Sequence, residues 1–247
     1  MAKLSDAERY FLDVNGFLVR RGVLKPLEVE RLQRCVDELN VQPGTTIASQ
    51  RFTGHLVRDP AFRALIDHPA VFDVVRELCG PLVRLDHTYG IVMAPGTRGL
   101  DLHGGAVPFD PSQFWVADGT GVHAGLVAAL WSLSRAEDGD GGFACIPGSH
   151  KAAFALPTGV GVDGPWSDWA REVPLGRGDL LLFAEALTHG TLPWAGREER
   201  RLLVFKYSPG NSSWARELTV GDDLLTLLSP RQRLLVEPPY VAYRRAP

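Results

Sequence analysis

Two of the seven histidines in this sequence stand in surroundings suited to chemistry. His103 sits in the run Leu100-Asp101-Leu102-His103-Gly104-Gly105, and His189 lies far downstream in Leu187-Thr188-His189-Gly190-Thr191. Each is followed at once by glycine and falls at the end of a predicted strand, where backbone can bend and a ligand can come close. A neutral imidazole is the commonest protein ligand for iron, copper, zinc or nickel. Two of them, brought from two strands to one ion, leave most of its coordination sphere free for substrates. Asp101, two residues before His103, shares its strand face and offers a reversed Asp-x-His chelate; the plainer reading is a polar residue at a loop exit. His87 and His123 can point into a barrel as supporting or substrate-contacting groups. His150, after Pro147-Gly148-Ser149, reads as a turn residue.

Short apolar runs punctuated by Gly, Pro and Asp surround both histidines, which is the pattern of a β-sandwich or barrel. Leu82 to Met93 alternates as a strand into the turn Pro95-Gly96, and Gly125 to Leu133 reads as a buried strand. After the turn Asp138 to Gly142, Phe143 to His150 returns; Leu180 to Phe183 and Arg201 to Tyr207 follow as strands. Upstream, helical spacing marks Asp6 to Val14 and Lys25 to Leu39, with Pro26 as a first-turn proline, and Pro69 to Leu78 before Gly80. Gly16 to Gly22 between the first two helices alternates like a short strand. Val41 to Ile47 reads as a loop, and Asp222 to Leu228 as a late helix. Val107 to Val122 holds Pro108, Asp110 and Pro111 together with Phe109, Phe114 and Trp115, and reads as a lid or pocket wall. The expected organisation is one domain over residues 1–247: a largely helical flank over 1–80, a core over 82–210 and a tail over 211–247.

With 247 residues, 45% apolar and 22% charged, the chain falls within the single-domain range of all-β folds. No run approaches the apolar length of a membrane span, and the polar opening Met1 to Arg9 is no secretory signal, so a cytoplasmic setting is expected. Cys35, Cys79 and Cys145 have no short spacing and read as buried free thiols. A net charge of −3 with no basic block gives no nucleic-acid footprint. A small molecule is the expected partner, and the oligomeric state is left open.

Taken in order, the motifs Gly16-Phe17-Leu18-Val19, His103, Trp131, Gly141-Gly142-Phe143 through Ile146-Pro147-Gly148-Ser149-His150-Lys151, Gly178 to Phe183, His189-Gly190-Thr191 and Arg200 form a set spanning nearly the whole chain. That set resembles the phytanoyl-CoA dioxygenase family. The resemblance implies a mainly β fold, a double-stranded β-helix (jelly-roll) with flanking α-helices, holding Fe(II) with 2-oxoglutarate as co-substrate and using O2. By the same resemblance His103 and His189 are iron ligands, Arg200 binds the far carboxylate of 2-oxoglutarate, Thr191 donates to it, and Trp131 flanks it. A guanidinium suits that task because its planar fork matches a carboxylate and keeps its charge inside a barrel. Read without the family, Arg200 belongs to an exposed charge run, Arg197 to Arg201.

One position departs from the family. Its usual motif is His-x-Asp, and here the third residue is Gly105, which has no side chain. Three readings stay open: chloride fills the vacant position, as in iron halogenases with His-x-Gly or His-x-Ala; water or another carboxylate, Asp101 or Asp110, fills it and hydroxylation follows; or the metal is lost and the domain only binds small molecules. Tyr89, Arg98, Phe109, Trp115 and His123 are the expected substrate contacts, suggesting a partly apolar ligand with one anionic group.

Overall fold

The structure, a computed structural model, describes residues 3–41, 49–105, 107, 109–160, 167–216, 218 and 220–247. Most of the loop expected over Val41 to Ile47, and Pro108, lie outside the described residues. In chain order the elements are α1 (Asp6–Asn15), β1 (Phe17–Arg20), α2 (Pro26–Glu38), β2 (Gln50–Phe52), α3 (Pro60–Arg63), α4 (Pro69–Cys79), β3 (Arg84–Met93), β4 (Leu100–His103), β5 (Trp115–Ala117) and β6 (Val122–Ala124). Then come β7 (Val127–Ser132), β8 (Gly142–Cys145), β9 (Arg171–Glu172), β10 (Leu180–Ala184), β11 (His189–Leu192), β12 (Arg200–Ser208), α5 (Asp222–Leu227) and α6 (Pro230–Leu235).

A large antiparallel sheet runs in the order β1-β10-β7-β12-β3-β2, and a smaller one in the order β4-β11-β8-β9. This is the expected double-stranded β-helix. Alternation along the large sheet sorts its side chains into two cores. Ala128, Leu130, Leu181, Phe183, Leu202 and Val204 face inward and meet Phe143 and Cys145 of the smaller sheet. Ala129, Trp131, Leu180, Leu182, Leu203 and Phe205 face outward and are covered by the helices, through Val29 and Leu32 of α2 and Val71, Val74 and Val75 of α4. Each buried Val, Leu or Phe among them contributes about 1.5–3 kcal/mol relative to exposure.

Local chemistry sets the helix ends. Ser5 and Glu8 form a reciprocal cap at the start of α1, Ser5 N–H donating to Glu8 Oε2 at 2.8 Å. At its other end Gly16 takes φ +80°, and a β-carbon there would stand 2.5 Å from His150 Nδ1. Only glycine can turn the chain at that point into β1, which pairs with β10. The segment before residue 80 is thus more than a helical flank, since it supplies strands at both edges of the large sheet. Cys35, Cys79 and Cys145 are free and buried, and no helix among the described residues is long and apolar enough to cross a membrane.

Candidate metal centre

His103 and His189 stand opposite each other in the β4–β11 register, their ring centroids 4.4 Å apart. The Nδ1 atom of each is bound to a backbone carbonyl two residues earlier, His103 to Asp101 at 2.8 Å and His189 to Leu187 at 2.6 Å. A carbonyl only accepts, so Nδ1 carries the proton and Nε2 keeps its lone pair. Two lone pairs therefore stand ready at one mouth of the barrel. The His189 ring lies against Phe183 and Phe143, at 4.8 Å and 5.9 Å between centroids, and burial pushes its pKa down to about 4. It is neutral at ordinary pH, the state a ligand requires.

The turn after His103 is built on glycine for two different reasons. Gly104, at φ +88°, passes so close to the chain around His189 that an added β-carbon would lie 2.8 Å from Leu187 O and 2.9 Å from Glu185 O. Gly105, at φ +99°, is open: a β-carbon there would meet only Thr188 Oγ1, at 3.8 Å. Among the described residues no third His, Cys, Asp or Glu joins the pair in a metal-holding group.

Further along the inner face, the row Arg200, Leu202, Val204, Lys206 continues on β12 opposite Met93, Ile91, Tyr89 and His87 of β3. Arg200 is buried, not exposed as its charge run suggests. Its Nη1 donates to Met93 Sδ at 3.3 Å, and Gly142 covers the guanidinium, where a β-carbon would lie 3.0 Å from Nε. No acidic partner meets it among the described residues, and burial lowers its pKa to about 10. A buried cation without an anion is costly, so this one fits an incoming carboxylate. Thr191 lies opposite Phe143, whose side chain is in the inner core, so it faces the same interior. Tyr89 is also on this face, stacked 5.8 Å from His87, with Arg51 Cζ 3.4 Å above its ring.

Several expectations need correction. Trp131 belongs to the outer core, its ring 4.9 Å from His68, because β7 alternation sends Leu130 inward and Trp131 outward. It does not flank the chamber between the sheets. Asp101 is exposed and its carboxylate turns 3.8 Å towards Arg98, itself exposed; only its carbonyl serves His103. Asp110 accepts from Ser112 N–H and Oγ–H at 2.8 Å and 2.6 Å and is spent on a local turn. Phe109 is 73% exposed. The segment expected as a lid or pocket wall contributes to the β5–β6 hairpin and is a wall, but of a cavity of about 600 Å³ against α1 and α4 that the two histidines do not line. Trp115 and His123 line that cavity: Trp115 donates to Asp13 Oδ1 at 3.1 Å, and His123 pairs with Asp118 at 2.8 Å.

Missing from the sequence reading was a buried ion pair, Glu185–Lys206, with 2.6 Å between Oε1 and Nζ. Burial opposes the Glu185 charge, but Lys206 outweighs it and holds its carboxyl below the usual range. The available signal was a lone charge at an inward position: Glu185 follows Leu181 and Phe183, and Lys206 follows Leu202 and Val204, at period two.

Fold and site together define a double-stranded β-helix with two histidines converging at one end of its interior. The profile of the phytanoyl-CoA dioxygenase (PhyH) family matches residues 12–202, and the chain belongs to that family. Among solved structures it is similar to HygX from Streptomyces hygroscopicus with nickel and 2-oxoglutarate bound, at 29% identity and TM-score 0.76 over 90% of this chain and 94% of that one. HygX with nickel, 2-oxoglutarate and hygromycin B bound matches at 27% identity and TM-score 0.75 over the same shares. SnoK, a non-heme α-ketoglutarate-dependent carbocyclase from nogalamycin biosynthesis, shares the fold at 18% identity and TM-score 0.66 over 92% of each chain. No curated protein sequence gives a significant match.

Proposed function

We propose that this chain is an Fe(II)- and 2-oxoglutarate-dependent oxidoreductase that functionalises a C–H bond of a small molecule. The observation that carries the reading is the pair of free Nε2 lone pairs on His103 and His189, standing on the same barrel interior as a buried, acid-free Arg200. His103 and His189 hold the iron. Arg200, with the Thr191 hydroxyl, holds the far carboxylate of 2-oxoglutarate; the nickel and 2-oxoglutarate bound to HygX support this kind of metal and co-substrate. The hygromycin B bound to HygX supports a small-molecule substrate here.

The bound iron and 2-oxoglutarate supply oxidative C–H functionalisation, coupled to loss of CO2 from the co-substrate to leave succinate. The protein's part is to orient and to keep water out. Phe143, Phe183, Leu202 and Val204 make the interior apolar, which strengthens the hold of Arg200 on an anion. Gly105 brings no side chain, so an outside ligand would complete the set that His103 and His189 begin. With water there, the balance is R–H, O2 and 2-oxoglutarate giving R–OH, succinate and CO2. With chloride there, R–H, Cl−, H+, O2 and 2-oxoglutarate give R–Cl, succinate, CO2 and water.

Anaerobic titration with Fe(II) and then 2-oxoglutarate, with and without chloride, tests the reading. A charge-transfer absorption band and succinate formation on admitting O2 are expected. No band and no 2-oxoglutarate consumption would leave a non-catalytic binding domain instead.

A further inference from the structure

The inner face carries a charged pair that the roles above do not use. Lys206 stands opposite Ala128, and Ala128 stands opposite Phe183, so the three form a row across β12, β7 and β10. With only a methyl in the middle, Lys206 crosses the row and meets Glu185, the next inward position after Phe183. Oε1 receives the lysine at 2.6 Å, and both side chains are almost wholly buried. The other carboxylate oxygen, Oε2, is buried and has no hydrogen-bond partner among the described residues.

An unmet lone pair on a buried carboxylate calls for a specific reason. Its place in the fold supplies one. The Glu185 carbonyl lies under Gly104, 2.9 Å from where a β-carbon would be, and the same point is 3.4 Å from His189 Nδ1. The His189 ring packs on Phe183, two residues before Glu185. The backbone at Glu185 thus lies against the turn that follows His103, and Phe183 of the same inward row carries the His189 ring.

We propose that Glu185 is the acid of this metal centre, acting at one remove: Lys206 fixes Oε1, and Oε2 accepts a hydrogen bond from a water bound to the ion at the position Gly105 leaves open. The proposal rests on the metal reading above and deepens it. A carboxylate returns to a site whose family position for one is glycine, as a positioning residue rather than a ligand. It also chooses between the two outcomes. An acceptor oxygen favours water, a donor, and repels chloride, so hydroxylation of the substrate would be favoured over chlorination.

The test is anaerobic Fe(II) titration by calorimetry, followed by the 2-oxoglutarate charge-transfer band, on wild type, Glu185→Gln, Glu185→Gln with Lys206→Met, and His103→Ala. Outer partners of metal ligands are worth about 10–100-fold in affinity, and a loss of that size is expected in both Glu185 variants. Chloride is expected to leave the wild-type band in place and to shift it in both variants, a response that a merely structural role of Glu185 does not produce. The double variant removes the lysine that Glu185→Gln strands, so misfolding of the single variant does not decide the matter. Wild-type iron affinity and a chloride-insensitive band in the folded double variant overturn the proposal, as does a wild-type band that shifts with chloride. Undiminished iron affinity in His103→Ala overturns the metal reading itself.

Discussion

His103 and His189 face one another across a single antiparallel pair, each ring anchored through Nδ1 by the carbonyl two residues before it. The anchor and the ligand come from the same short stretch of strand, so the direction of each Nε2 is set locally. The two residues differ in one respect: His189 is buried among phenylalanines, while His103 is exposed. His103→Ala is therefore expected to keep native stability within about 0.5 kcal/mol, as surface substitutions do, while ferrous-ion affinity falls at least about 100-fold. Urea unfolding beside calorimetric titration of the same sample checks both halves. Retained affinity in the folded variant removes His103 from the site.

Arg200 makes an opposite prediction for stability and binding. The free protein gains nothing from its buried charge, so Arg200→Met is expected to unfold at or above the wild-type temperature. In the wild type, 2-oxoglutarate at 100 times its Kd raises stability by about 2.7 kcal/mol. That rise is expected to vanish in Arg200→Met and to persist only in part in Arg200→Lys, which keeps the charge but lacks the fork. Thermal shifts with and without 2-oxoglutarate suffice, and an undiminished shift in Arg200→Met excludes the assignment.

The two glycines after His103 are separable by substitution. Gly105→Ala meets open space and bears only the strain of a positive φ, about 1–3 kcal/mol. Gly104→Ala bears that strain and also drives a methyl group against two carbonyls at 2.8 Å and 2.9 Å. Denaturant unfolding is expected to rank Gly104→Ala as the more damaging. The reverse order contradicts the backbone path described for this turn.

Trp131 tests the correction made above. On the outer face of β7 it packs with His68 beneath the helices, and its indole Nε1 has no partner among the described residues. Trp131→Phe is expected to lower stability by about 0.5–3 kcal/mol and to leave 2-oxoglutarate affinity at the wild-type level. A tenfold weaker co-substrate would return Trp131 to the chamber.

Acid sensitivity follows from histidines away from the centre. His55 is enclosed by Phe62, Phe52 and Phe205, and His150 is buried under Gly16; burial lowers each pKa from 6.5 to about 4. The unfolded chain takes up protons below pH 6.5 that the folded chain refuses, so stability is complete above 6.5 and declines as pH falls towards 4. Each histidine contributes a slope of about 1.4 kcal/mol per pH unit. Urea midpoints in metal-free protein should be level from pH 8 to 7 and fall steeply from 6.5 to 5; a flat profile there refutes the assignment.

Elements with strong local signals were legible in the sequence. The spacing of Val29, Leu32 and Val36 after Pro26 marks α2, and the run from Pro69 to Leu78 before Gly80 marks α4. The alternation from Arg84 to Met93 marks β3 to within two residues. Short or partner-dependent elements were not. β2, three residues long, exists only through its pairing with β3, and α6 is a single capped turn and a half after Pro230. Within the site, Asp101 was weighed as a ligand because strand alternation places it on the His103 face. Alternation fixes where a side chain begins, and Arg98 decides where this one ends. Trp131 shows the reverse case, since counting from Leu130 already sends it outward. The Glu185–Lys206 pair joins residues from β12 and the end of β10, and no local pattern relates them before the sheet has formed.

The placement of β1 has a practical consequence. It closes the outer side of β10 by pairing Phe17 to Arg20 with Phe183 to Leu180. Trimming the amino terminus back to α2 would bare a ribbon of unclaimed amides and carbonyls beside the most apolar strand of the barrel. Bare ribbons of that kind recruit other chains edge to edge, so such a shortened form is expected to clump, and its loss of yield would say nothing about the histidines.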